Sequence, residues 1–493
     1  MSDQKILPTG DPPLDRTGEQ RRLAVAVAVI AVARFMVVLD GTIMIVALPR
    51  IGRTLSMSGS DLAWVINAYS LTFGGLMLVA GRVGDLLGRK RVFRFGIVFF
   101  GAASLAGGLA PTGGSLIVLR ALQGVGAAIA TPGALSLLVS TFPIGPLRTK
   151  ALGVYGAATG MASVMGLLLG GLLTTYLGWR WVLFVNVPIA ALTAVGVRAL
   201  DDGDPTPGKL DLPGATTETA GVGSLVFAVN RAGEQGWSDP TVITCLGASA
   251  VLLLAFVLLQ RSSSRPMIPR GVLAEPGRAR ANVITLVTAA GMFATFYFLT
   301  LYLQQVHGYS ALRTGLFFLP FAVGFGIAAG GVGPQLLART SERAALSVGL
   351  LIAAGGMIWF SFLTAHSNPF TVVLPASLVT GIGLGATQVV TTSVGVRGID
   401  NSEAGVGSSL LTAGSQIGSA LGLAVLATVA SAATRHRTAT NHAQFNEALT
   451  HGYTIAFIVA AGIYLASLTI AFTIKPLREP RTADGGAGIS PTC

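Results

Sequence analysis

The chain is short of charge. Asp, Glu, Lys and Arg together make up 11% of its 493 residues, against about 25% in soluble domains. With 52% hydrophobic residues and a mean hydropathy of +0.69, that deficit excludes an ordinary soluble globular protein. Cysteine is almost missing. Cys245 lies in an apolar run and Cys493 ends the chain, so neither a disulfide nor a cysteine metal site is expected. Acidic residues are scarcer than basic ones, 21 against 33, for a net charge of +12. This surplus does not point to nucleic acid: the cations fall in short loops between apolar runs, with no basic face interleaved with aromatics. The five histidines (His307, His366, His436, His442 and His451) fall in or beside expected outer loops. His436 and His442 share the polar stretch ATRHRTATNHAQFNEALTHG, which reads as a solvated loop rather than a metal site. Glycine clusters sit inside apolar runs, not between strand and helix, so no phosphate cradle is expected. Nor is there a large soluble domain or a catalytic cluster, which argues against an enzyme or a receptor. No cofactor is implied.

What the chain has is apolar runs. They lie near 23–48, 62–80, 92–110, 115–139, 150–174, 181–199, 212–230, 241–259, 282–303, 314–336, 345–364, 371–393, 404–432 and 453–474. Each is about long enough to cross a bilayer as a helix. The 64 glycines suit helices that pack backbone to backbone in lipid. The first 21 residues are polar and no small-residue cleavage site follows the first run, so that run is expected to stay as a helix. An even number of spans puts both termini on one side. Of the 33 cations, 24 fall on the side of the termini, 7 on the other and 2 within spans, which makes the termini cytoplasmic. Arginine dominates over lysine, and alanine and glycine abound, as in a GC-rich bacterial genome; a bacterial plasma membrane is the expected location.

Two polar segments punctuate the series, RALDDGDPTPGKLDLPG (Arg198 to Gly214) and QRSSSRPMIPRGVLAEPGRAR (Gln260 to Arg280). Six spans precede them, two lie between them and six follow. The expected fold is an all-α integral membrane protein of about 14 transmembrane helices, two six-helix bundles plus an inserted helix pair. Its parts are a tail (1–21), a first bundle (22–200), a linker with the inserted helices (201–280), a second bundle (281–475) and a tail (476–493). Transporters are commonly built from such repeats, with the substrate site at midplane between them.

Asp40 stands inside the first run, in FMVVLDGTIMIVALP (Phe35 to Pro49). A carboxylate at that depth costs about 2.5 to 3.5 kcal/mol on insertion scales, so it usually has a task. Proton coupling is one task; permanent pairing with an arginine that only holds helices together is the other. Arg120 is a second buried charge. It stays cationic when a carboxyl gains or loses its proton, so it either biases that equilibrium or completes a static bridge. Arg34, six residues before Asp40, points into a cavity or snorkels toward the cytoplasm. Glu218, in the first inserted span, is a further coupling candidate or a partly hydrated residue near a helix end.

After the second span comes GRVGDLLGRKRVF (Gly81 to Phe93), read as a charged, glycine-bearing turn containing Gly81, Asp85, Gly88, Arg89 and Lys90. Asp85 can latch helices by accepting from an arginine or a helix N-terminus. The stretch resembles the cytoplasmic loop motif of the major facilitator superfamily, G-x-L-a-D-r-x-G-r-r, with Leu86 where a basic residue is usual. LRALQGVGAAIATPG (Leu119 to Gly133) resembles the superfamily's fourth-helix motif R-x-x-Q-G-x-G-a-a through Arg120, Gln123, Gly124, Gly126, Ala127 and Ala128. The stretch around Asp40 resembles the first-helix motif of its drug/proton antiporters, with Ile45 where Asn is usual. GWRWVLFVNVP (Gly178 to Pro188) resembles a helix junction of the fourteen-helix members. In the fifth span Gly156, Gly160, Gly166, Gly170 and Gly171 resemble the antiporter packing motif, although Leu167 stands where Pro belongs; they serve export or packing alone.

The resemblance implies a two-bundle fold, alternating access and proton-driven efflux of amphipathic drugs or antibiotics. Asp40 would couple protons, Arg120 and Gln123 would adjoin it, and the Asp85 motif would gate the cytoplasmic side. The expected partners are an amphipathic small molecule, protons and the lipid bilayer, with no nucleic acid and a monomeric state. The rival is an uptake carrier for a small metabolite, which the missing Pro keeps in play.

Overall fold

The computed structural model of the chain describes residues 16–142, 146–200, 211–263, 275–395, 404–441 and 445–474. Cys493 and His442 lie outside these residues, as do the side chain of Asp85 and the surroundings of Gly156 and Gly160.

Among the described residues, fourteen helical segments follow one another. The first six are α1 (Arg16–Leu55), α2 (Gly59–Leu87), α3 (Arg89–Gly108), α4 (Gly113–Thr141), α5 (Pro146–Tyr176) and α6 (Trp181–Ala199, interrupted at Val185). A hairpin of α7 (Leu212–Gln235) and α8 (Pro240–Ser262) comes next. The last six are α9 (Pro276–Val306), α10 (Ala311–Arg339), α11 (Glu342–Phe360), α12 (Pro369–Gly395), α13 (Ala404–Asn441) and α14 (Phe445–Thr473). Eleven of them are long and apolar enough to cross a membrane. The other three, α2, α5 and α7, are 29, 31 and 24 residues long and carry their charged residues mostly near the ends.

Local chemistry sets several boundaries. Ser58 and Asp61 form a reciprocal capping box at the start of α2, and Thr112 with Ser115 does the same for α4. Asp239 caps α8 by accepting from the backbone of Thr241 and Val242. It also pairs with Arg231 at 3.1 Å, and that hydrogen bond holds its carboxyl below the usual range. Between α2 and α3 only Gly88 leaves helical geometry, at φ +96°, a conformation that glycine adopts without strain. This corrects the sequence reading of a turn. Gly81 and Asp85 belong to α2 itself, because Gly84 and the apolar residues around it continue the helical ladder. Likewise the polar stretch after residue 432, which reads as a solvated loop in the sequence, continues α13 as far as Asn441, with His436 on it, and His451 lies within α14. Its alanines and threonines are compatible with helix, and polarity alone does not end one.

Within the first six helices α2 packs on α4, α3 on α4 and α1 on α5; within the last six α9 packs on α13, α11 on α12 and α13 on α14. Between the sets, α2 lies along α13 and α5 along α10. Helix α7 seats against both α2 and α13, where Thr219 donates to the Gly75 carbonyl at 3.0 Å and Thr428 to that of Val229 at 2.9 Å. Helix α8 packs on α7 and leaves Val251, Leu254 and Leu258 exposed.

The two ends of the assembly differ. At the end opposite the termini, one core runs across both sets, from Ile43–Ile51 and Leu62–Ile66 to Ala294–Leu303 and Phe317–Phe321. Tyr297 donates to the Gly59 carbonyl at 2.9 Å and Gln304 to that of Val46 at 2.9 Å across this seam. Nearer the termini the buried residues form separate clusters. One is built from α1 to α6 with Ala413 of α13, the other from α9, α11, α12 and α14.

Candidate functional site

Asp40 sits in the middle of α1 and is fully buried. Arg120 and Gln123, one turn apart on α4, both reach it. Nη1 of Arg120 donates to Oδ2 at 2.5 Å, and Nε2 of Gln123 donates to Oδ1 at 2.7 Å. Arg120 also donates to Oε1 of Gln123 at 2.6 Å and, through Nε, to the Val65 carbonyl at 3.1 Å. Its guanidinium lies 4.3 Å from the ring centroid of Tyr69, whose hydroxyl donates to the Val37 carbonyl.

Two residues not singled out from the sequence complete the cluster. Asn186, at the start of the main stretch of α6, donates Nδ2 to Oδ1 of Asp40 at 2.8 Å and to Ser104 of α3 at 3.2 Å. Ser104 also accepts from Gln123. Arg120, Gln123 and Asn186 each offer Asp40 a proton donor. The one acceptor left over is Oδ1 of Asn186, buried without a partner. Asn186 was visible inside the junction motif, and Ser104 as a polar residue in an apolar run, but neither spacing shows what they face.

Glycines bring the helices this close. Gly126 abuts the backbone of Phe100, where a Cβ would come within 2.7 Å of its nitrogen, and so brings α4 onto α3. Gly170 faces the Ile43 carbonyl of α1 at 2.7 Å from a would-be Cβ, and Gly166 faces Thr42 and the Leu39 carbonyl. The fifth-helix glycines thus press α5 against the turn of α1 that carries Asp40. Gly171 turns the other way, onto Ala311 and Leu312 of α10. Helix α5 runs unbroken through Leu167, which is buried beside Gly315.

The remaining sequence candidates fall elsewhere. Arg34 is 3.0 Å from Thr159 of α5 and lies over the Tyr155 ring, so it neither joins the Asp40 cluster nor snorkels free. Glu218 is buried on α7, with Oε2 unpartnered. Lys90, at the start of α3, donates to the carbonyls of Arg198 and Leu200, a cation on a helix C-terminus. Gly81 packs on Pro132 of α4, and Arg89 heads α3.

Among the described residues, twelve helices in two sets with a two-helix hairpin between them, and an ion pair buried inside one set, define a polytopic helical membrane protein. The chain belongs to the Major Facilitator Superfamily, whose family model matches residues 30–423. It is 40% identical over 471 residues to the puromycin resistance protein pur8 of Streptomyces alboniger, covering 94% of this chain and 93% of that one. It is 34% identical to the cephamycin export protein CmcT of Amycolatopsis lactamdurans, covering 97% of each. Among solved structures, a bacterial homologue of the human lysosomal transporter Spinster, in an inward-facing conformation, shares the fold at a TM-score of 0.64 and 19% identity, over 94% of this chain and 99% of that one. The peptide transporter POT in complex with sulfate does so at 0.66 and 14%, over 92% and 97%.

Proposed function

We propose that this chain exports amphipathic antibiotics or drugs across a bacterial plasma membrane in exchange for protons, as a monomer with cytoplasmic termini and the proton gradient as its energy source. The observation that carries the reading is the Asp40 cluster, a carboxylate and a guanidinium buried together within the spans. The export direction is supported by relatives named for antibiotic resistance and export. We take the two six-helix sets as the moving halves, the α7–α8 hairpin as the insertion between them, and the shared core opposite the termini as the closed gate.

Protonating Asp40 converts an acceptor into a donor. Arg120, Gln123 and Asn186 then present donors to a group that has lost its charge, and Arg120 loses its counter-ion. Rotating the Asn186 amide brings its orphaned Oδ1 toward the new hydroxyl. Proton uptake therefore loosens α4 and α6 from α1, which is the link needed between titration and helix movement. Release on the other side restores the bridge. Each charge moved down 100 mV yields about 2.3 kcal/mol, enough for one proton to support a useful concentration ratio.

The test is accumulation of a fluorescent cationic dye in energised cells. Expression should lower it, and a protonophore should cancel the difference. Unchanged accumulation overturns export of such compounds; lowered accumulation that survives the protonophore overturns the coupling.

A further inference from the structure

A cavity of about 550 Å³ opens at the end opposite the termini, between the two helix sets and beside the hairpin. It shares no lining residue with the Asp40 cluster. One wall is a face of α13 bearing Thr428, Ser431, Thr434 and Arg435, and α1 adds Arg53 beside it. The lining also takes in a stripe of α14, Phe445, Leu449 and Tyr453, spaced four apart, together with Tyr297 and Phe298 of α9. Hydroxyls and two guanidinium groups thus share the cavity with aromatic rings. Among the described residues neither Asp nor Glu lines the cavity, so none of those lining it neutralises the arginines. Arg53 is steadied by donating Nε to the Pro49 carbonyl at 3.3 Å.

The volume falls within the roughly 300–1,000 Å³ of small-molecule sites. Guanidinium groups select carboxylate, sulfonate or phosphate, and stacked aromatics accept a flat apolar body. We infer that this cavity is an outer binding subsite for a drug-sized amphipathic anion, with the anionic group at Arg53 and Arg435 and the apolar body on Tyr453, Phe298 and Phe445. The site needs no proton and no titrating group. Its walls come from both helix sets and from Asn230 of the hairpin, so parting the sets would reshape it and release what it holds.

The test uses the purified chain in nanodiscs of neutral phosphatidylcholine, with no gradient, and equilibrium dialysis of pyrene-1-sulfonate against uncharged 1-pyrenemethanol. The sulfonate should bind at least ~10-fold more tightly, after subtraction of empty nanodiscs. Arg53→Gln combined with Arg435→Gln should bring the two probes to parity. Arg180→Gln combined with Arg313→Gln, which removes the same charge from arginines outside the cavity, should keep the preference. Bound sulfonate should also slow maleimide labelling of Ser431→Cys. Equal affinity of the wild type for both probes, a preference surviving the first double variant, its loss in the second, or unslowed labelling overturns the proposal. None of these outcomes bears on the dye assay above, which reads export and its energy source.

Discussion

Asn186 of α6 donates to Oδ1 of Asp40 at 2.8 Å, across 146 residues of chain, on the opposite carboxylate oxygen from Arg120. The carboxylate is thereby held from both sides, and either contact can be removed separately.

Removing the carboxylate proposed to carry the proton should stop coupling. Asp40→Asn is expected to abolish gradient-driven efflux, while energy-independent substrate exchange survives; Asp40→Glu should keep part of the activity with a displaced pH optimum. Asp40→Leu, which strands Arg120, should lower stability by about 3–5 kcal/mol in thermal melts. The deciding measurement is substrate-induced proton release from purified protein. Equal release from wild type and Asp40→Asn would move the coupling role elsewhere, with Glu218 next in line.

Asn186→Leu removes a buried donor while keeping approximate size. We expect a loss of about 1–3 kcal/mol in stability and slower efflux at unchanged expression. Asn186→Asp sets a second carboxyl beside Asp40 and should be worse. Wild-type efflux by both variants would reduce Asn186 to a packing residue.

Gly170→Val should be among the most damaging substitutions in α5, because its first carbon already meets the Ile43 carbonyl at 2.7 Å. Gly462→Ala on α14, where nothing lies within 4 Å, should be tolerated. Comparable yields of folded protein, read by size-exclusion chromatography, would refute the close approach of α5 to α1.

Asp85→Asn is expected to slow transport strongly while sparing expression and substrate binding, since a charged residue beside Gly88 exceeds what topology requires. Transport at the wild-type rate would leave the motif as a topogenic signal only.

Orientation is testable by thiol labelling after removal of Cys245 and Cys493. Cysteines at Ser263 and Asp484 should be shielded from an impermeant reagent in whole cells, and one at Thr440 should react. The reverse pattern inverts the topology.

The fold was legible because its signal is coarse. Twenty-residue apolar runs are dictated by bilayer thickness, and each expected run corresponds to one of the helices α1 to α14. Helix ends were less legible where polar residues continue a helix past the apolar stretch, as in α13 beyond residue 432 and α2 through Asp85. Of the site, Asp40 and Arg120 stand out because charges are costly in lipid, and Gln123 through the fourth-helix motif it shares with Arg120; the structure joins the three. Asn186 and Ser104 did not stand out, since their importance lies in what faces them across distant helices. Arg34 looked similar in sequence, yet it turns to Thr159, because six residues along a helix bring it to another face.

The seam that closes the end away from the termini is mostly apolar, and no ion pair described between the two helix sets crosses it. Apolar association near room temperature is driven by entropy and weakens on cooling. Temperature is therefore a lever on which way the molecule faces. Chilling should favour the state with this seam parted, and labelling of a cysteine placed there, at Ala294 for instance, should rise relative to an exposed control site as the sample is cooled. A transporter sealed by salt bridges would respond chiefly to ionic strength; this one is built to feel the heat of its surroundings.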